Sequence, residues 1–394
     1  MAARKTVTAL LLALVLVFGS LTGLQAATSI EIYVDGSKVV SDVAPVIENG
    51  TTLVPLRIIS ENFGARVNWN DATSAVTVNS AANDVKLVVG SKSATVNGAN
   101  QTLSIAAKLI NGRTFVPLRF VGESLGANVD YDAKTNRVNI KYFSDMAGTI
   151  TIGGSTTIQP VAEAVAGILK GMNSGLSVTV VGGGSGNGVK GAASGEFNIG
   201  NASRDVKDSE MATYPDLISH KIGSDAIAVV VNPANPVKAL TRQQVFDIFT
   251  GKIVNWNEVG GNNAPIFVQT REAGSGTLDG FNEKAIHAID ANGAIVASAI
   301  AHTSNGLVKE AVANGANTIG FISLAYVDSS VKAVSIDSIP ATVEKAQSGE
   351  YAYVRPLNVL TKGRPNLLAA KFIDFYTTPK GIEAMEEEGY LPLQ

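Results

Sequence analysis

Hydrophobic and polar positions change rhythm twice along this chain. Residues 7–18 form one apolar run interrupted only by Thr8. Between 30 and 142 the runs are short, and strict alternation recurs, as in 67–69 and 76–78, the signature of half-buried strands. Two short segments break that rhythm with apolar residues at helical spacing: Ile58, Ile59 and Phe63, then Phe120, Val121 and Leu125. From 149 onward the pattern predicts strands at 149–152, 177–181, 197–199, 226–231, 266–269 and 318–322. Helices are predicted at 160–171, 188–194, 278–289 and 366–378, the last carrying Leu367, Leu368, Phe372, Ile373 and Phe375. Strands alternating with helices in this way predict an α/β unit with a mostly parallel sheet.

The strand-rich part is an internal repeat. Thr52-Leu53-Val54-Pro55-Leu56-Arg57 returns as Thr114-Phe115-Val116-Pro117-Leu118-Arg119, 62 positions later. The same offset pairs Asp35-Gly36 with Asn97-Gly98, Asn49-Gly50 with Asn111-Gly112, Gly64 with Gly126, Trp69 with Tyr131 and Val76 with Val138. Each Asx-Gly pair predicts a tight hairpin turn, and Gly64 and Gly126 predict helix stops. Arg57 and Arg119, each following a Pro turn, are expected to tie down the helix; contact with a cell-wall polymer is the functional alternative.

The first apolar run has the layout of an export signal. Arg4 and Lys5 precede it, Gly19, Ser20, Thr22 and Gly23 end it, and Leu24-Gln25-Ala26 offers a small-residue cleavage site. It is shorter than the ~20 residues that a membrane-spanning helix needs. The expected organisation is therefore a signal peptide at 1–26, a repeat domain at 30–142, a junction at 143–148 and an α/β unit at 148–394.

Charge and composition narrow the chemistry. The 394 residues carry a formal net charge of −3, which disfavours nucleic acid and acidic membranes as partners. There are no cysteines, so disulfides, thiolate metal sites, a cysteine nucleophile and a lipid-modified cysteine are all excluded. The three histidines, His220, His287 and His302, lie far apart in sequence, and no metal or other cofactor is expected.

Three strand-to-helix turns share one theme. They are Gly153-Gly154-Ser155-Thr156-Thr157, Gly182-Gly183-Gly184-Ser185-Gly186, and Arg271-Glu272-Ala273-Gly274-Ser275-Gly276-Thr277. First-turn N–H groups of a helix lack internal partners and carry about half a positive charge. Glycine lets backbone approach a ligand, and Ser and Thr add uncharged donors. Converging on one small dehydrated ion, with Arg271 beside them, such turns would hold an oxyanion. None is a Walker A loop or a dinucleotide fingerprint.

At these residues the sequence resembles the substrate-binding proteins of phosphate ABC transporters. The resemblance covers about 148–394. It runs through Ile-Gly-Asn-Ala-Ser-Arg (199–204), Ser-Asp-Ala-Ile-Ala-Val-Val-Val-Asn (224–232), Val-Phe-Asp-Ile-Phe-Thr-Gly-Lys-Ile-Val-Asn-Trp (245–256), Ile-Gly-Phe-Ile-Ser-Leu-Ala-Tyr-Val (319–327) and Gly-Tyr-Leu-Pro-Leu (389–393). It implies an α/β two-lobed periplasmic-binding-protein fold of type II. One lobe would be 148–228 with 325–394 and the other 229–324, with crossovers near 225–231 and 321–325. Phosphate ligands would come from Thr156, Thr157 and Ser185 in one lobe and from Arg271, Ser275, Gly276 and Thr277 in the other. In well-known members a carboxylate follows the Ser of the Ala-Ser loop, but here that position is Arg204. Asp225 is then the candidate acceptor for the phosphate proton, and Arg204 a candidate phosphate contact or helix cap. The repeat resembles the stalk-type N-terminal domain of copper amine oxidases, an α+β, strand-rich unit widespread in exported proteins of Gram-positive bacteria. It has no His or Cys to ligate copper.

The resemblance implies a monomeric, extracellular or wall-associated phosphate receptor, not an enzyme, that serves the membrane permease of an ABC importer. Other readings stay open. A phosphatase would need Ser185 or Ser275 as nucleophile, but neither lies in Gly-x-Ser-x-Gly and no His occurs in a comparable motif. A wall-tethered scavenger or sensor, or a receptor for sulfate or molybdate, would keep the fold and change the role.

Overall fold

The computed structural model describes residues 30–393, so the expected export signal at 1–26 lies outside the described residues. All four Asx-Gly turns of the repeat form with both central residues at positive φ: Asp35 and Gly36 at 47° and 82°, Asn49 and Gly50 at 48° and 74°, Asn97 and Gly98 at 52° and 80°, Asn111 and Gly112 at 49° and 73°. That is the type I′ geometry, whose twist matches the flanking strands.

The two copies pair through their equivalent strands. Thr51–Pro55 runs antiparallel to Arg113–Pro117 with Val54 opposite Val116, so a local two-fold axis passes between corresponding residues. Helices Leu56–Asn62 and Leu118–Ser124 start directly after the two prolines. The first strand of copy one, Glu31–Val34, is parallel to the last strand of copy two, Arg137–Lys141. Arg57 and Arg119 bond within their own helices, to Glu61 at 3.4 Å and Glu123 at 3.2 Å, and Arg119 also reaches the Val129 carbonyl at 3.2 Å.

The repeat and the α/β unit share one apolar core. Phe63 stacks on Tyr142 at 4.6 Å between centroids, Tyr142 meets Phe143 at 4.7 Å and Phe143 meets Phe375 at 5.1 Å. Asp35 accepts the backbone N–H groups of Tyr142, Phe143 and Ser144, which fixes the chain at the junction. At the centre of the seam, buried Asp374 accepts the Ala81 N–H at 2.7 Å and the Tyr142 hydroxyl at 2.8 Å. Burial pushes its carboxyl up to about 7.

The α/β unit is organised by one long strand. Leu217–Val231 pairs along its first part with Val354–Lys362 and along its last part with Thr318–Ser323, both antiparallel. On one side lie the parallel strands Leu176–Gly182, Gly148–Gly154 and Ile199–Ala202. On the other lie Phe267–Arg271 and Ile300–His302, again parallel to their neighbours. Two lobes result, with two crossing strands between them.

The lobe boundary differs from the expectation at the return crossing. The chain comes back at Val354–Lys362, not near 321–325. Thr318–Ser323 is an inner strand of the second lobe. Residues 325–353 stay there too: Lys332–Ala333 pairs with the far end of the long strand, Ser335–Ile336 pairs with Ala239–Leu240, and Tyr351 and Tyr353 sit in the core of that lobe. The outgoing strand also begins nine residues earlier than the predicted 226, because polar and largely exposed Ser219, His220 and Lys221 interrupt the apolar run near its start.

Candidate anion-binding site

The three glycine-rich turns meet where the lobes face each other. The strand Gly148–Gly154 delivers Ser155, Thr156 and Thr157 just ahead of the helix Gln159–Met172. The helix Ser185–Ser194 starts after Gly184 with no side chain capping it. Across the cleft, Arg271 ends the strand Phe267–Arg271, and Ser275 caps the short helix Gly276–Phe281. Ser275 Oγ accepts the N–H groups of Thr277 at 3.2 Å and Leu278 at 3.3 Å, so this helix end is partly satisfied from within. The predicted helix 278–289 is six α-helical residues running into a wider turn at Asn282–Ile286.

Contacts across the lobes are close. Thr157 Oγ1 lies 3.2 Å from Thr277 Oγ1. The Gly186 N–H donates to the Gly274 carbonyl at 2.9 Å. A Cβ placed on Gly276 would stand 2.3 Å from Ser185 Oγ and 2.6 Å from Ser203 Oγ. Thr156, Thr157, Ser185, Arg271, Ser275, Gly276 and Thr277 are thus gathered into one buried cluster, with Thr157 and Ser185 fully inaccessible and Arg271 at 2 % exposure.

Two predicted residues stand differently. Arg204 turns from the cluster: it pairs with Glu210 through both terminal nitrogens, at 2.7 and 2.8 Å, donates to the Asp205 carbonyl at 2.9 Å, and lies 2.8 Å from Asp279. Its role is a tie between lobes. Asp225 is fully buried beside the cluster, with both carboxylate oxygens occupied: Oδ1 accepts the Ser323 hydroxyl at 2.8 Å, and Oδ2 accepts Arg355 Nε at 3.0 Å and Nη2 at 2.7 Å. Burial pushes its carboxyl above the ordinary Asp range, against the pull of Arg355.

Sequence reasoning missed two central residues. Arg355 interrupts the apolar strand Val354–Lys362, and Nη2 donates to Thr157 Oγ1 at 2.9 Å. Its Nη1 is buried with no hydrogen-bond partner in the protein. Asn305 opens the helix Asn305–Asn314 and donates from Nδ2 to Thr156 at 3.3 Å and Thr157 at 3.0 Å. A charged residue in an apolar strand was the available signal for Arg355. For Asn305 it was Thr303-Ser304-Asn305-Gly306, a fourth polar turn opening a helix.

Arg355 is paired with Asp225, whereas Arg271 donates to the backbone carbonyls of His302 at 3.1 Å and Thr303 at 3.0 Å. Burial, and then repulsion from Arg355, pull Arg271 down to about 10. The cluster holds a surplus of positive charge and an unmatched buried donor, an arrangement completed by an anion.

Residues 144–380 match the sequence model described as the PBP superfamily domain. The chain belongs to that superfamily. Residues 33–140 match the copper amine oxidase N-terminal domain. Among curated PBP relatives, the phosphate-binding protein PstS of Bacillus subtilis is 31% identical over 68% of this chain and 88% of its own length. PstS of Borreliella burgdorferi is 27% identical over 62% and 90%. A Clostridium perfringens structure, described as a phosphate ABC transporter substrate-binding protein with bound phosphate, superposes with TM-score 0.59 at 37% identity. It covers 63% of this chain and all of its own. An ABC-type phosphate transport receptor from Vibrio cholerae gives TM-score 0.51 at 32% identity, over 62% of this chain and all of its own. The type II two-lobed PBP fold behind a strand-rich repeat, implied by the sequence, is the one observed. Among the described residues no group of three or more His, Cys, Asp or Glu side chains is placed to hold a metal ion, and no helix is long and apolar enough to cross a membrane.

Proposed function

We propose that this chain captures inorganic phosphate outside the cell and delivers it to the membrane permease of an ABC importer. The observation that carries the reading is Arg355 Nη1, buried and unpaired, within a cluster of Arg271, Thr156, Thr157, Thr277 and Asn305 drawn from both lobes. A protein interior tolerates such a donor where a ligand completes it. Ligand contacts are assigned to Thr156, Thr157, Ser185, Arg271, Ser275, Gly276 and Thr277, with Arg355 and Asn305 added. The names of the relatives support phosphate as the ion. Closure of one lobe on the other supports a receptor that a permease reads by shape, and the hydroxyl oxygens of Ser185 and Ser275, already engaged with backbone N–H groups, suit binding better than nucleophilic attack. The test is calorimetric titration with phosphate: one site of micromolar or tighter affinity is expected, and no saturable heat overturns the reading.

A second reading concerns the repeat. Two surface clefts related by the local two-fold axis are lined by matching residues, Arg57, Val67 and Trp69 in one and Arg119, Val129 and Tyr131 in the other. Exposed rings at equivalent positions suit contact with a repeating cell-wall polymer, which would retain the receptor near its permease. Co-sedimentation with purified wall material, lost on Trp69→Ala with Tyr131→Ala, is the expected result.

A further inference from the structure

Two tyrosines hold the turn that carries Thr156 and Thr157. In an α-helix each carbonyl accepts the N–H of the residue four positions on. For the Thr156 carbonyl that donor would be residue 160, which is a proline and has no N–H. Backbone bonding in the helix Gln159–Met172 starts at Ile158, whose carbonyl accepts the Ala162 N–H at 3.0 Å. The carbonyls of Thr156 and Thr157 thus lie ahead of the helix's own bonds. Phenols take both: the Tyr326 hydroxyl donates to the Thr156 carbonyl at 2.7 Å, and the Tyr390 hydroxyl donates to the Thr157 carbonyl. Ser155 holds the opposite ends of the same two peptide planes. Its Oγ accepts the Thr157 N–H at 3.2 Å, and its carbonyl accepts the Ile158 N–H at 3.1 Å. Fixing the planes on either side of Thr157 fixes its φ and ψ, and so where its side chain points.

The two tyrosines belong to different lobes. Tyr390 lies in the core of the first lobe together with Val161 and Met385. Tyr326 ends the turn Leu324–Tyr326 that follows the strand Thr318–Ser323, and it packs on the second-lobe cluster of Val308, Val312 and Ile322. The bond from Tyr390 is internal to one lobe. The bond from Tyr326 exists only while the lobes are together. Burial pushes the Tyr326 phenol up to about 12, so it stays protonated and able to donate near neutral pH.

Building on the anion-binding reading above, we propose that Tyr326 is a positioning residue that latches the closed lobes. It completes the carbonyl that Pro160 leaves without a helix donor, and so holds the Thr156–Thr157 turn in place around the ion. On opening, water replaces the phenol and the Thr156–Thr157 peptide plane loses one of its two fixed ends. Release of a bound ion therefore breaks this bond, whereas entry of an ion between open lobes does not. The proline sets the size of the effect, because it keeps the Thr156 carbonyl from being satisfied within its own helix.

The experiment compares Tyr326→Phe with the parent full chain. Phosphate affinity is measured by calorimetry, and release by rapid filtration of radiolabelled phosphate after an unlabelled chase. Release is expected to be about tenfold faster, the effect of leaving a carbonyl without its donor. The association rate, from the release rate and the dissociation constant, should stay within about twofold. Release within about twofold of the parent's, or a loss confined to association, overturns the proposal. Pro160→Ala supplies an independent arm. It returns an N–H to the first turn, so the Thr156 carbonyl keeps a donor when Tyr326 is changed. In that background Tyr326→Phe should speed release by about threefold or less. An effect equally large with and without Pro160 assigns the change to lost ring packing and counts against the latch. If the parent binds no phosphate, the phosphate reading fails and a ligand-free measurement decides the latch. The chain has no cysteine, so spin labels can be placed at exposed Lys190→Cys in the first lobe and Ser298→Cys in the second. A closed-lobe distance whose population Tyr326→Phe lowers by about half or more supports the latch, and distance distributions that do not differ overturn it.

Discussion

Replacing Gly276 by Ala tests whether closure of the two lobes makes the site. The backbone there does not need positive φ, so alanine is allowed locally, and it is the better helix former. The obstacle is the opposite lobe. The new methyl would stand 2.3 Å from Ser185 Oγ, 2.6 Å from Ser203 Oγ and 3.2 Å from Ser185 Cβ. Rotating the Ser185 hydroxyl clears only the first contact and breaks its bond from the Ser203 N–H. Relief requires the lobes to part by roughly 1 Å. That withdraws the Ser185 helix end, worth up to ~2 kcal/mol in a partly buried setting, and one hydroxyl bond to a charged ligand, worth about 1.5–3 kcal/mol. A combined loss of about 3–4 kcal/mol weakens phosphate binding roughly a hundred- to a thousandfold. The assay is titration calorimetry, with thermal unfolding of the unliganded protein as control, where the midpoint should be unchanged or slightly higher. A dissociation constant within about threefold of the parent protein's would refute the closed-lobe reasoning.

Arg204→Ala is expected to weaken phosphate binding by less than about tenfold, mainly through faster release, because Arg204 ties the lobes through Asp279 without facing the cluster. A loss as large as that of Arg271→Met would return Arg204 to the ligand shell. Asp374→Asn probes the seam between repeat and lobe. The folded-state carboxyl is raised to about 7 from an ordinary 3.8, so the folded protein holds the extra proton between those values. The unfolded chain binds fewer protons there, and stability falls as pH rises through that window. The Asn variant removes this penalty and should unfold at a higher temperature than the parent near pH 8, with the difference shrinking toward pH 4. A variant less stable than the parent near pH 8 would mean the charged form is well accommodated.

Much of the fold could be read in advance where local chemistry dictates it. Asp35-Gly36 and its three counterparts predicted turns that only Asx and Gly adopt cheaply, and all four formed. The 62-residue offset predicted two like units, and the Val54–Val116 pairing places their symmetry axis. Glycine-rich turns predicted segments that the fold gathers between the lobes, where the Gly186 N–H meets the Gly274 carbonyl. Arg355 and Asn305 left only weak local signals, a charge in an apolar strand and a polar turn before a helix, because their importance is a matter of what they touch from 148 to 198 positions away.

The sequence alone determined the turns, the duplication, the α/β alternation and the set of hydroxyls and glycines offered to an oxyanion. These follow from φ preferences, side-chain periodicity and donor chemistry, which act over a few residues. Tertiary structure decided where the chain recrosses, that the repeat and first lobe share a core, and which way each polar group points. The same Asp225 reads as a free acceptor in the sequence and as a filled one beside Arg355 and Ser323, since a lone pair is available only if no donor in the folded protein has taken it.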